Sequence, residues 1–136
     1  MPDLVALDSN ILAAMFFKEE ASSRALNAAA KPDLITLDLS FVEVGNVAWK
    51  RVVLGDEDSN LTQEALKKCR IFISDVCDVV KAQDLVPEAY EISIGIRTSF
   101  YDSLFLALAE KEHVSLLTLD KKLYNKANAS YDVQLI

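Results

Sequence analysis

The chain is short of the residues on which several common chemistries depend. With only Gly45, Gly55 and Gly95 it has no glycine-rich loop to cradle phosphates, which excludes the usual nucleotide-cofactor sites. Two cysteines, Cys69 and Cys77, are too few for a disulfide framework and too widely spaced for a zinc knuckle. If one helix carries both, eight residues at ~1.5 Å each set them about 12 Å apart, beyond bridging distance. The single histidine, His113, has no partner context for a Ser-His or Cys-His pair and is expected in solvent at the charged end of a helix. Basic residues are also scarce. Lys and Arg number 14 against 21 Asp and Glu, a net charge of -7, so a basic surface that grips nucleic acid regardless of sequence is excluded and any such contact must be local or metal-bridged. No apolar run approaches the ~18 residues of a membrane span, and no basic segment precedes an apolar stretch near Met1, which predicts a soluble, cytoplasmic protein without membrane contact.

What remains is a chain of 136 residues, 51% hydrophobic, which predicts a single domain over 1–136 with a sizeable core. Leu4 to Leu7 (LVAL), Leu34 to Leu37 (LITL) and Ser115 to Leu119 (SLLTL) are short apolar runs of the kind found in fully buried strands. Val79 to Ala82 and Val133 to Ile136 are read as further short strands, the first at an edge. Between them the spacing predicts helices: from Ser9, with Ile11, Leu12, Met15 and Phe16 on one face; from Glu20 to Lys31, stopped by Pro32; from a cap at Asp38 or Ser40 through Phe41, Val44, Ala48 and Val52 to Gly55; from Thr62 through Leu66, Cys69 and Ile73; from Pro87 through Tyr90, Ile94 and Ile96; over the segment following Tyr101; and around Leu123 and Tyr124. NILAAMFF in the first helix has more apolar residues than one buried stripe needs, so part of Met15, Phe16 and Phe17 is expected to face a groove or interface. Strands separated by helices imply an α/β fold with a mostly parallel sheet covered on both faces.

In such a fold strand C-termini and helix N-termini share one edge, where ligands bind. The stretch YDSLFLALAEKEHVSLLTLD shows how acids reach it. A helix of about a dozen residues runs roughly 17 Å one way and a strand of about five roughly 16 Å back, which returns Asp102 and Asp120 to the same edge. Asp8 ends the first strand, and Glu43 is expected in the first turn of its helix. Taken singly, each acid is most simply a cap; four from distant segments are not. Their mutual repulsion raises some of their pKa values unless a cation is present, and oxygen-only ligands select Mg²⁺ or Mn²⁺. Such ions polarise phosphoryl oxygens and generate hydroxide, which points to phosphodiester hydrolysis. The acidic run DEDSN at Asp56 to Asn60 lacks the periodicity of a calcium loop and reads as a solvated turn. Asp8-Ser9-Asn10 lacks the second Asp of a haloacid-dehalogenase-type phosphatase.

LVALDSNIL, SFVEVGNVAWK, YDSLFLALAE and LLTLD, in this order and spacing, resemble the PIN domain, and particularly the VapC-type toxins of toxin–antitoxin pairs. The resemblance spans nearly the whole chain. It implies a three-layer α/β/α sandwich with a mostly parallel central sheet, and a Mg²⁺- or Mn²⁺-dependent endoribonuclease whose metal-binding acids fall on Asp8, Glu43, Asp102 and Asp120. Ser9 or Asn10 matches the small polar residue after the first acid, Asn46 matches a supporting position beside Glu43, and Thr118 is expected to support Asp120. An antitoxin partner and a homodimer are implied by the resemblance alone. Lys18, Arg97, Lys121 and Lys122 are expected to position RNA because they adjoin the motifs. The competing expectation is a non-catalytic PIN-like module that binds a protein partner, its acids serving structure.

Overall fold

The computed structural model describes residues 4–136. In chain order it contains β1 (Leu4–Leu7), α1 (Ser9–Phe16), α2 (Ser22–Ala28), β2 (Asp33–Leu37), α3 (Leu39–Val53), α4 (Ser59–Val76), β3 (Asp78–Val80), a 3₁₀ turn (Ala82–Leu85), α5 (Val86–Ile96), α6 (Phe100–Glu112), β4 (Leu116–Thr118), α7 (Lys121–Ala127) and β5 (Val133–Leu135). The five strands form one parallel sheet in the order β3-β2-β1-β4-β5.

Alternation along each strand divides two apolar layers. Leu4, Ala6, Ile35, Leu37 and Leu116 face α5, α6 and α7, while Val5, Leu7, Leu34 and Leu117 face α1 to α4. Both faces are therefore covered, which is why the strands read as apolar runs rather than as alternating patterns. Where a polar side chain interrupts a run it is satisfied: Thr36 Oγ1 donates to the Leu7 carbonyl at 2.8 Å and lies 2.8 Å from Ser40 Oγ.

The strand order places the crevice. From β1 the chain moves to β2 and β3 through helices on one face, then crosses the sheet and adds β4 and β5 through helices on the other. The direction of winding reverses between β1 and β4, where open α/β sheets leave a gap beyond the strand C-termini.

Several elements differ from the sequence reading for local reasons. Asp38 is not a side-chain cap of α3: its backbone is already helical (φ -61, ψ -22), and its Oδ1 accepts from the Ala82 N–H at 2.9 Å. Ser40 is no cap either; it is buried against Thr36. Glu43 consequently lies just beyond the first turn of α3. The predicted helix Glu20 to Lys31 shortens to Ser22–Ala28, because Ser22 Oγ accepts from the Glu19 N–H at 2.9 Å and organises a turn ahead of it. α4 begins at Ser59 rather than Thr62, since Asp58 Oδ2 accepts from Leu61 N–H at 2.8 Å. In α5 the buried residues are Ala89 and Ile92, leaving Tyr90 and Ile94 exposed. Phe17 is buried beneath the Arg51 guanidinium, 5.5 Å from its ring centroid, whereas Met15 and Phe16 are half-buried and Phe16 lines an open cleft of about 310 Å³. Cys69 and Cys77 are buried and free, and burial pushes their thiols up to about 12 and about 11, so neither is a nucleophile.

Candidate active site at the sheet switch point

Asp8 leaves β1 at the crevice and is 4% exposed. Its Oδ2 accepts from Thr118 Oγ1 at 2.8 Å and from Asn10 Nδ2 at 3.3 Å. The Thr118 hydroxyl is saturated: besides donating to Asp8 it accepts from Asn10 Nδ2 at 3.2 Å and from the Asp120 N–H at 3.0 Å. Asn10 Oδ1 accepts from the Leu119 N–H at 3.0 Å, which fixes the orientation of the amide and ties α1 to the end of β4. Ser9 Oγ lies 2.7 Å from Glu43 Oε1 and 3.5 Å from Asp8 Oδ1, so its single proton goes to the nearer acceptor, while the Ser9 backbone N–H donates to the Asp8 carboxylate. The family resemblance left Ser9 and Asn10 as alternatives for one position; the structure gives both a role. Thr118 contacts both acids, donating to Asp8 and accepting from the backbone of Asp120.

Asp102 lies in the first turn of α6, where its N–H donates to Ser99 Oγ at 3.1 Å. The pattern Ser-x-x-Asp is a readable N-cap signal that the sequence analysis passed over. Asp120 caps α7, accepting from the Leu123 N–H at 3.1 Å, so one of its oxygens serves the helix as the simplest expectation for a lone Asp holds. Burial is the main influence on the other three acids. It pushes Asp8 up to about 7, the Thr118 hydrogen bond opposes this, and the charges of Asp102 and Glu43 add to it. Glu43 is raised chiefly by burial, against the Ser9 hydrogen bond, with Asp102 adding. Asp102 is raised by burial and then by Asp120, opposed by Ser99, Lys126 and Lys122. These influences link Asp8 to Glu43 and Asp102, and Asp102 to Asp120.

The basic residues divide. Arg97 ends α5 in the left-handed region (φ 55), just before the α6 cap, and Lys122 lies near enough to Asp102 to ease its ionisation. Lys126, which sequence reasoning missed, does the same and donates to the Arg97 carbonyl at 2.6 Å. Lys121 is exposed at the start of α7. Lys18 is not brought to the acids. It follows α1, whose eight residues span about 12 Å at ~1.5 Å per residue, and its carbonyl accepts from Arg51. Asn46 is exposed on α3, and no side-chain hydrogen bond joins it to the four acids.

The PIN domain family pattern matches residues 5–129. The chain belongs to the PIN domain family. It is 32% identical to Ribonuclease VapC3 of Pyrobaculum aerophilum over 90% of this chain and 93% of the relative, and 29% identical to Exonuclease VapC9 of the same organism over 76% and 74%. Its PIN fold superposes on a chain of a toxin–antitoxin complex from Klebsiella pneumoniae with a TM-score of 0.70, covering 96% of this chain and 95% of that one at 19% identity.

Among the described residues no three His, Cys, Asp or Glu side chains stand together as a ready-made metal cage. This PIN domain nevertheless has the donor chemistry of a hard-cation site. The candidate donors are all carboxylate oxygens, and Mg²⁺ retains several waters and takes only one or two carboxylates directly.

Proposed function

We propose that this PIN domain, acting as one domain over its whole length, is a Mg²⁺- or Mn²⁺-dependent endoribonuclease and the toxin of a toxin–antitoxin pair. The observation that carries the reading is the buried Asp8 carboxylate at the β1/β4 switch point, electrostatically joined to Glu43 and Asp102. Ionising a buried acid is unfavourable without a cation, and among the described residues Asp8 makes no side-chain capping bond and no ion pair.

Asp8, Glu43, Asp102 and Asp120 hold the ion. When bound, it supplies charge stabilisation at a phosphoryl oxygen and lowers the pKa of a water. Thr118 and Asn10 fix the Asp8 carboxylate through Oδ2. Ser9 orients Glu43, Ser99 holds the first turn of α6 that carries Asp102, and the capping bond of Asp120 sets its rotamer.

The decisive experiment measures metal-dependent cleavage of RNA by the wild type and by Asp8→Asn. Loss of cleavage in the variant, with its fold intact, is expected; equal cleavage by both overturns the assignment. Because the two named relatives are a ribonuclease and an exonuclease, the products of end-labelled RNA decide the mode: internal fragments are expected, and a mononucleotide ladder alone overturns endonucleolytic cleavage.

A protein-binding role finds support in a separate surface. Trp49 and Val53 on α3 are each 54% exposed and, with Gly45, Val52 and Leu66, line an apolar cleft of about 320 Å³ between α3 and α4. An antitoxin segment with apolar anchors suits that cleft. The expected homodimer is checked by light scattering of the purified chain.

A further inference from the structure

One cation beside the acids is held in place by the fold. Lys126 Nζ donates to the Arg97 carbonyl at 2.6 Å. Arg97 adopts φ 55 at the end of α5, two residues before the Ser99 cap of α6, so this bond anchors the ammonium next to the turn that carries Asp102. Lys122 lies four residues earlier on α7, hence on the same helix face about 5–6 Å away at Cβ. Both side chains are exposed.

We propose that Lys126 and Lys122 form the phosphate-gripping wall of the site and hold the RNA backbone beside the scissile bond. The inference rests on the ribonuclease reading and gives it a substrate-positioning surface. An ammonium has three donors; Arg97 takes one from Lys126 and leaves two for phosphate oxygens. A tethered lysine has already lost much of the rotamer freedom it would otherwise lose on binding, which favours it over free surface lysines. In a chain of net charge -7, a pair of cations adjoining the acids also provides a local point of attraction for a polyanion that the rest of the surface repels.

The alternative is that Lys126 only ties α7 to the α5–α6 turn, as a cation at a helix C-terminus often does. The two roles separate experimentally. Cleavage kinetics are measured for Lys126→Met, Lys126→Arg and Lys122→Met. Binding of a random-sequence single-stranded RNA oligonucleotide is measured in the non-cleaving Asp8→Asn background from about 50 to 300 mM salt, where each lost phosphate contact reduces the slope of log K against log salt by ~0.7. Lys126→Met is expected to raise KM about tenfold, equivalent to about 1.4 kcal/mol, with kcat nearly unchanged and the salt slope reduced by one contact. Lys126→Arg should restore most of the loss. Lys122→Met, which leaves the Arg97 tie intact, should show the same reduction in slope. A lower thermal midpoint for Lys126→Met with KM and salt slope unchanged in both Met variants reduces Lys126 to a structural tie and overturns the proposal. If the wild type neither binds nor cleaves the oligonucleotide or total cellular RNA, the ribonuclease reading fails and takes this one with it, a result distinct from a cleaving enzyme indifferent to both lysines.

Discussion

Asp8 and Asp38 occupy equivalent places in the chain and have opposite fates. Each follows an apolar strand and precedes a helix, and each donates its backbone N–H to the neighbouring strand, Asp8 to Leu117 O at 3.0 Å and Asp38 to Val80 O at 2.9 Å. Asp8 is buried, and Asp38 is exposed. The difference lies in what the neighbouring strand does next. Beyond β3 the chain turns at once into a 3₁₀ turn whose Ala82 N–H occupies Asp38. At the end of β4 it presents Thr118 and Asp120 instead, whose hydroxyl and backbone tie Asp8 into a buried network, while the helices after β1 and β4 depart to opposite faces. The surroundings of an aspartate at a strand end follow from what the neighbouring strand presents, together with its own flanking residues, here Ser9 and Asn10.

The largest test of that contrast is catalytic. Asp8→Asn should reduce metal-dependent RNA cleavage by at least about a thousandfold, roughly 4 kcal/mol in the barrier, while Asp38→Asn should stay within about a factor of two. Comparable losses in initial rate would erase the distinction.

Acid titration should separate the pair next. In the folded protein Asp8 keeps its proton until about pH 7, whereas the unfolded chain releases it near 3.8. Between those values the unfolded state binds fewer protons, so metal-free stability falls as pH rises, by up to a few kcal/mol, and levels off above about pH 7. The upward shifts of Glu43 and Asp102 act in the same direction. Denaturant unfolding in chelator from pH 4 to 8 should show this decline in wild type and Asp38→Asn, and a much flatter profile in Asp8→Asn; a wild-type profile that rises over this range contradicts the burial of Asp8.

A smaller effect is expected on deleting the Thr118 hydroxyl. Thr118→Val removes the short donor to Asp8 and the acceptor used by Asn10 and Asp120, which should cost about 1–3 kcal/mol in metal-free stability. A midpoint shift below a few tenths of a kcal/mol would mean that water replaces the hydroxyl. Asp38→Asn should be the mildest, below about 1 kcal/mol, because an amide oxygen still accepts from Ala82 N–H; a larger thermal shift would show that the charge itself holds the clip.

The sheet and the acid edge were legible because LVAL, LITL and SLLTL are short, apolar and strand-like, and because strand and helix lengths carry Asp102 and Asp120 back to one side. The switch point was not, since it depends on β1 pairing with β4 across more than a hundred residues, information that no local pattern contains. Asp38 was misread for the same reason: its partner lies 44 residues away. Glu43 fell one turn late because Asp38 is already helical. In α5 the large residues Tyr90 and Ile94 suggested the buried stripe, but α6 approaches α5 closely and the small Ala89 takes the inner position. Lys126 carried no motif at all; only its bond to Arg97 distinguishes it from other surface lysines.

The pairing of β1 with β4 bears on the order in which the proposed site assembles during synthesis. Asp8 is synthesised 110 positions ahead of the hydroxyl that holds it. Strands β2 and β3 and six of the helices, α1 to α6, can form while Asp8 still lacks its anchor. The proposed site therefore cannot be complete in a nascent chain until Thr118 has been translated. A chain halted after Glu112 should bind Mn²⁺ no more tightly than Asp8→Asn does in the full-length protein.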